Sequence, residues 1–158
     1  MATTTPAGRD AAPAAPPRTG LLAQLDGWPW PALIVAFLRA NAVIWLATGL
    51  GHWGRIVGYL PVAGEGGFVG QSIDWQSTTV FYGVIDLVVA VGLWIATAWG
   101  VAVWLLAIAC QVLTHGALAE IFGERPFRLP FYVASLVVYA ALLFMARRQA
   151  RRKAEEEA

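Results

Sequence analysis

The sequence predicts an all-α integral membrane protein, a four-helix bundle built from two antiparallel helical hairpins. Three observations carry that prediction. Hydrophobic residues are 58% of the 158, and charged residues only 13%, about half the roughly 25% of an ordinary soluble domain. The apolar residues gather into four runs, three of them near the roughly 20 residues a helix needs to cross the hydrocarbon. Short polar or Gly-rich connections separate the runs.

The elements follow in order. Residues 1–27, rich in Ala, Pro, Thr and Gly, have no apolar periodicity and read as a disordered tail. No basic start followed by an apolar core occurs in the first 25 residues, so the tail does not read as a signal peptide. A transmembrane domain over 28–146 holds spans at about 31–51, 78–97, 99–119 and 130–146. Pro31 and Pro130 fall in the first turns of their helices, where a missing N–H is harmless. Ala98, Trp99 and Gly100 are read as the tight turn between spans two and three. A Gly-rich loop, 52–77, joins spans one and two, and a charged loop, 120–129, joins spans three and four. Residues 147–158 form a basic then acidic tail that continues the fourth helix.

An even number of spans puts both termini on one side. Seven basic residues lie there (Arg9, Arg18, Arg147, Arg148, Arg151, Arg152 and Lys153), against three, Arg55, Arg125 and Arg128, on the other. The excess of positive charge marks the cytoplasmic face. The expectation is a multi-pass protein of a bacterial inner membrane with both termini cytoplasmic. Trp28, Trp30, Trp94 and Trp99 fall near the inner interface, and Trp53 and Trp75 near the outer one, as aromatic belts do.

Several function classes are disfavoured. A net charge of +1 is not that of a nucleic-acid binder. The single cysteine, Cys110, forbids an internal disulfide and a CxxC pair. No phosphate-binding, metalloprotease or nucleophile-elbow motif occurs. The expectation is therefore no enzyme, no catalytic residue and no metal.

Polar residues inside spans are the remaining candidates, because charge in hydrocarbon costs roughly 2.5–3.5 kcal/mol. Arg39 lies about 12 Å and Asp86 about 16 Å from the inner ends of their helices at the helical rise. The depths suit an ion pair. Alternatively Arg39 leans to the cytoplasm, Asp86 leans outward toward its own helix N-terminus, and Asp86 is protonated or bonded to Asn41. Asn41, Trp45, Thr48 and His52 share one helical face, spaced four, three and four. Gln111, Thr114 and His115 form a similar stripe on span three. The two stripes are candidates to meet inside the bundle.

His52 and His115, near the outer ends of their spans, are candidate axial haem ligands. Metal binding with Glu120 is a further option. The expected reading is no cofactor. Gly54 and Gly58 form a GxxxG, with weaker Ala36/Ala40 and Ala47/Gly51 pairs, all suited to helix packing. Arg147, Arg148, Arg151, Arg152 and Lys153 are expected to meet anionic headgroups of the lipid bilayer.

Two stretches, FLRANAVIWLATGLGHWGRIVG and VIDLVVAVGLWIATAWGVAVWLLAIACQVLTHGALAEIFG, together resemble an uncharacterised family of small four-span inner-membrane proteins of alphaproteobacteria, over roughly residues 30–145. A looser similarity, through Arg39 and Gly49, is to DoxX-like four-span proteins. Neither resemblance implies catalytic residues. The function expected first is a non-enzymatic accessory or assembly partner of a membrane complex. The alternatives are an oligomeric transporter or proton-coupled carrier using Asp86 and Arg39, and a haem- or quinone-linked redox protein.

Overall fold

The computed structural model describes residues 27–62, 65–114 and 128–157. These hold four helices: α1 (Trp30–Ile56), α2 (Ile73–Trp94), α3 (Ala98–Val112) and α4 (Arg128–Glu156). Among the described residues there is no strand. The N-terminal tail other than Gly27, the end of the third span, and most of the 120–129 loop lie outside them, as do His115 and Glu120.

The helices α1, α2 and α4 are each long and apolar enough to cross a membrane. The described part of α3 is equally apolar but shorter. The protein is therefore a helical-bundle membrane protein.

α1 carries proline in its first turn and runs to Ile56, five residues past the expected span. Its last turn is closed by the Arg55 guanidinium, which donates to Gly51 O at 3.1 Å. The chain then folds back, with Leu60 N–H donating to Gly54 O at 2.8 Å. Gly58 turns the backbone at φ +79°, and a Cβ on Gly54 would come within 2.9 Å of Leu60. Gly54 and Gly58, expected to pack helices, serve this fold-back instead.

α2 starts five residues earlier than expected. Ser72 Oγ accepts the N–H of Trp75 at 3.4 Å, and Asp74 lies in the first turn, where a negative charge suits the helix dipole. The turn into α3 is Ile95–Thr97, not Ala98–Gly100, which form the first turn of α3. Ala96 takes φ 52° there, a left-handed conformation unusual for a residue with a Cβ. Thr97 N–H and Oγ1 each donate to Gly92 O at 3.3 Å. Gly100 is needed for proximity, since a Cβ on it would lie 2.6 Å from Gly92 Cα and closer still to Gly92 C and O.

α1 and α2 run antiparallel, Arg39 meeting Trp94 at one end and Trp53 Nε1 donating to Gly83 O at 3.0 Å at the other. Gly49 lets α2 approach, because a Cβ on it would meet Asp86 Cβ at 3.2 Å. α4 closes the bundle against α1 and α3. Tyr139 packs edge-on to Trp104 at 5.6 Å and stacks on Phe37 at 6.3 Å. Gln149 donates to Trp28 O at 3.2 Å, tying the far end of α4 to the start of α1. The core is Leu38, Ala42, Trp45, Val89, Leu93, Trp104, Ala107 and Ile108.

Candidate functional site: a buried polar centre on four helices

Above that apolar core the buried side chains change character. Asn41, Trp45, Gly49 and His52 form the buried stripe of α1, three and four residues apart, so they share one face. Thr79, Tyr82, Gly83 and Asp86 form that of α2. Gln111 on α3 and Ser135 on α4 are also buried.

Asp86 is the centre of this layer and has no solvent exposure. His52 Nε2 lies 3.8 Å from Asp86 Oδ2, within ion-pair range. Gln111 Nε2 donates to Asp86 Oδ1 across a long 3.5 Å, and Tyr132 Oη donates to Gln111 Oε1 at 2.7 Å. The sequence His52–Asp86–Gln111–Tyr132 therefore takes one side chain from each helix. A second link lies beside it. Tyr82 Oη is 3.0 Å from Cys110 O and 2.6 Å from Thr114 Oγ1, and its ring lies 6.1 Å from that of His52. Cys110 contributes its carbonyl here, and its thiol stays free.

The geometry has a simple origin. A helical side chain leans toward the N-terminus of its helix. α1 and α2 are antiparallel, so His52 leans back along α1 while Asp86 leans toward the start of α2, and the two meet. The sequence places His52 near the outer end of its span, on the stripe of Asn41 and Trp45 that faces the bundle interior. It is buried on that stripe, within a helix that runs on to Ile56.

The structure also separates residues that the sequence grouped. Arg39 is exposed. Its Nε donates to Trp94 O at 3.4 Å and its guanidinium lies 5.6 Å from the Trp94 ring centroid. Trp94 ends α2, eight residues from Asp86, about 12 Å at the helical rise. Arg39 and Asp86 are therefore not a pair. Their similar depth in the sequence holds only if α1 and α2 end level, whereas α1 begins about nine residues beyond the α2–α3 turn. Nor does Asn41 reach Asp86. Its amide donates to Phe37 O on its own helix at 3.1 Å, and Thr48 likewise bonds its own helix through Trp45 O at 2.9 Å.

Tyr82 and Tyr132 were not singled out from the sequence. The available signal was spacing: Tyr82 sits four residues before Asp86, on its face. Among the described residues no three His, Cys, Asp or Glu side chains cluster as metal ligands. His52 presents Nε2 to Asp86, and His115, the other candidate haem ligand, lies outside the described residues, as does Glu120.

At the opposite end, Arg147, Arg148, Arg151 and Arg152 line one face of α4 with Phe144 and Glu155. Lys153 is exposed beside them.

The model of a family of unknown function, DUF6163, matches residues 32–150. The chain belongs to DUF6163. The matched stretch takes in His52, Asp86, Gln111 and Tyr132, and ends within the basic part of α4. No curated protein and no solved structure matches this DUF6163 chain.

Proposed function

We propose that this DUF6163 chain is a small bacterial inner-membrane protein, termini cytoplasmic, that acts as a non-enzymatic accessory or assembly partner of a membrane complex. Its working centre is the His52–Asp86 pair. The observation that carries the reading is Asp86, wholly enclosed yet held within reach of His52 and Gln111. An ionisable group at membrane depth is costly and marks function by default. A His–carboxylate pair holds or releases a proton in a place where leucine would pack more cheaply. The basic end of α4 then meets anionic headgroups on the cytoplasmic side.

The test is purification from native membranes at native expression, in mild detergent, with mass spectrometry of what accompanies the chain. The reading expects a stoichiometric membrane-protein partner that Asp86→Asn and His52→Gln each release while the helix content is kept. A partner retained by both variants, or a chain purified alone, refutes it.

One observation favours a second reading, an oligomeric proton-coupled carrier. His52 lies four residues from the end of α1 and Asp86 deeper, so protons entering at that end meet His52 first. This carrier uses Asp86 and His52, with Arg39 outside the path. Proton-driven uptake into proteoliposomes of the purified chain, lost in Asp86→Asn, supports it over the first.

A further inference from the structure

We propose that Arg39 and the groove beside it form a binding site for one anionic phospholipid, the phosphate on Arg39 and an acyl chain along α1 and α2. The proposal rests on the membrane reading of the chain and is independent of the His52–Asp86 centre.

Three observations meet at this place. A groove of about 260 Å³ runs between α1 and α2, lined by Ala42, Val43, Leu46, Ala90, Val91, Trp94 and Ile95. None of these side chains carries a charge. Small residues form its floor, Ala42 and Ala90 being buried, while Val43, Leu46, Val91 and Trp94 are exposed walls. Arg39 stands at one end: Val43 and Leu46 follow it at four and seven residues, on one helical face. The run from Arg39 to Leu46 is about 10 Å at the helical rise.

The charge is placed for a ligand. Arg39 is level with the last residue of α2, at the turn that leads into α3. The guanidinium is exposed, and among the described residues no carboxylate lies in ion-pair range of it. Its bond to Trp94 O is long at 3.4 Å and uses a single N–H. A guanidinium has five such donors, in a fork that matches a phosphate. The Trp94 ring beneath it fixes its position. Basic residues between membrane helices on the cytoplasmic side are suited to acidic headgroups. The groove supplies apolar length directly below, so head and tail are recognised together.

Charge complementarity chooses the occupant. A helix of a second copy would fill the groove but leave the Arg39 charge against apolar surface. A zwitterionic lipid would fill it but set its own cation beside Arg39.

The experiment is native mass spectrometry of the full chain from mixed micelles of detergent with equal phosphatidylglycerol and phosphatidylcholine. The expected result is one tightly retained phosphatidylglycerol per chain, preferred on the order of fivefold, as about 1 kcal/mol per basic residue implies. Arg39→Gln abolishes that preference and Arg39→Lys restores much of it. Val91→Trp, which fills the groove from an exposed position, removes the retained lipid although Arg39 remains. Replacing Arg147, Arg148, Arg151 and Arg152 with Gln leaves it in place, and inorganic phosphate does not displace it. Each variant is checked for helix content and thermal midpoint. An Arg39→Gln protein that keeps the full preference overturns the proposal. So does displacement by phosphate alone. A dimer that Val91→Trp dissociates assigns the groove to a second copy and overturns it as well.

Discussion

Gly100→Ala will open the α2–α3 hairpin. A Cβ at residue 100 would lie 2.6 Å from Gly92 Cα, and nearer to Gly92 C and O. Carbon atoms in ordinary contact are about 3.5–4.0 Å apart, so the helices must separate by about 1 Å. The obstacle is backbone, and no rotamer change relieves it. Separation also loosens Leu93 and Trp104, both fully buried nearby. Overpacking of this kind costs about 3 kcal/mol. Alanine returns less than the ~1 kcal/mol of helix propensity at this first-turn position, so the net loss is about 2 kcal/mol. The control is Gly51→Ala, where a Cβ would meet only the end of Arg55 at 3.6 Å. It gains up to ~1 kcal/mol of propensity. The assay is unfolding in mixed micelles with increasing denaturing detergent, followed by circular dichroism and tryptophan fluorescence. The two variants should shift in opposite directions, about 3 kcal/mol apart. Equal stability of Gly100→Ala and the parent would refute the close approach of the two helices.

Other outcomes are expected in the same assay. Ala96→Gly should stabilise the chain by about 1 kcal/mol, because Ala96 holds φ 52° and glycine adopts that region freely. Trp53→Phe should cost about 0.6–1 kcal/mol through loss of the bond to Gly83 O. A double-mutant cycle of Asp86→Asn with His52→Gln should give a coupling of about 1 kcal/mol or more, as contacting residues do. A cycle of Asp86→Asn with Arg39→Gln should be additive within about 0.5 kcal/mol, since Arg39 bonds Trp94 two turns away.

Helical periodicity in the sequence exposes much of the site. Asn41, Trp45 and His52 recur at helical spacing, and that face is the buried one. Gln111 was likewise placed on an inward stripe of α3, and it is buried. The partner of Asp86 was not legible, because depth within a span depends on where helices end relative to one another. Arg39 sits at the end of α2 for that reason alone. The α2–α3 turn falls at 95–97, three residues before the Ala98–Gly100 that the sequence suggests, for a related reason. Gly100 reads as a chain breaker, yet its missing side chain serves proximity inside α3, while the turn itself is made by Ala96, which gives no sequence signal. The tyrosines of the centre look like apolar filler within an apolar run. Only their placement against Gln111 and Thr114 reveals hydroxyl bonding.

The most direct test is a cysteine pair in native membranes, on a Cys110→Ala background. Gly49→Cys with Asp86→Cys brings together Cβ positions 3.2 Å apart, close to the roughly 3.5–4.5 Å of a disulfide. Arg39→Cys with Asp86→Cys joins residues two turns out of register. Mild oxidation, followed by alkylation of the remaining thiols and peptide mass spectrometry, reads each pair. The account predicts rapid bonding of 49 with 86 and none of 39 with 86. Bonding of 39 with 86 instead would place Asp86 beside Arg39 and contradict the buried His52–Asp86 centre.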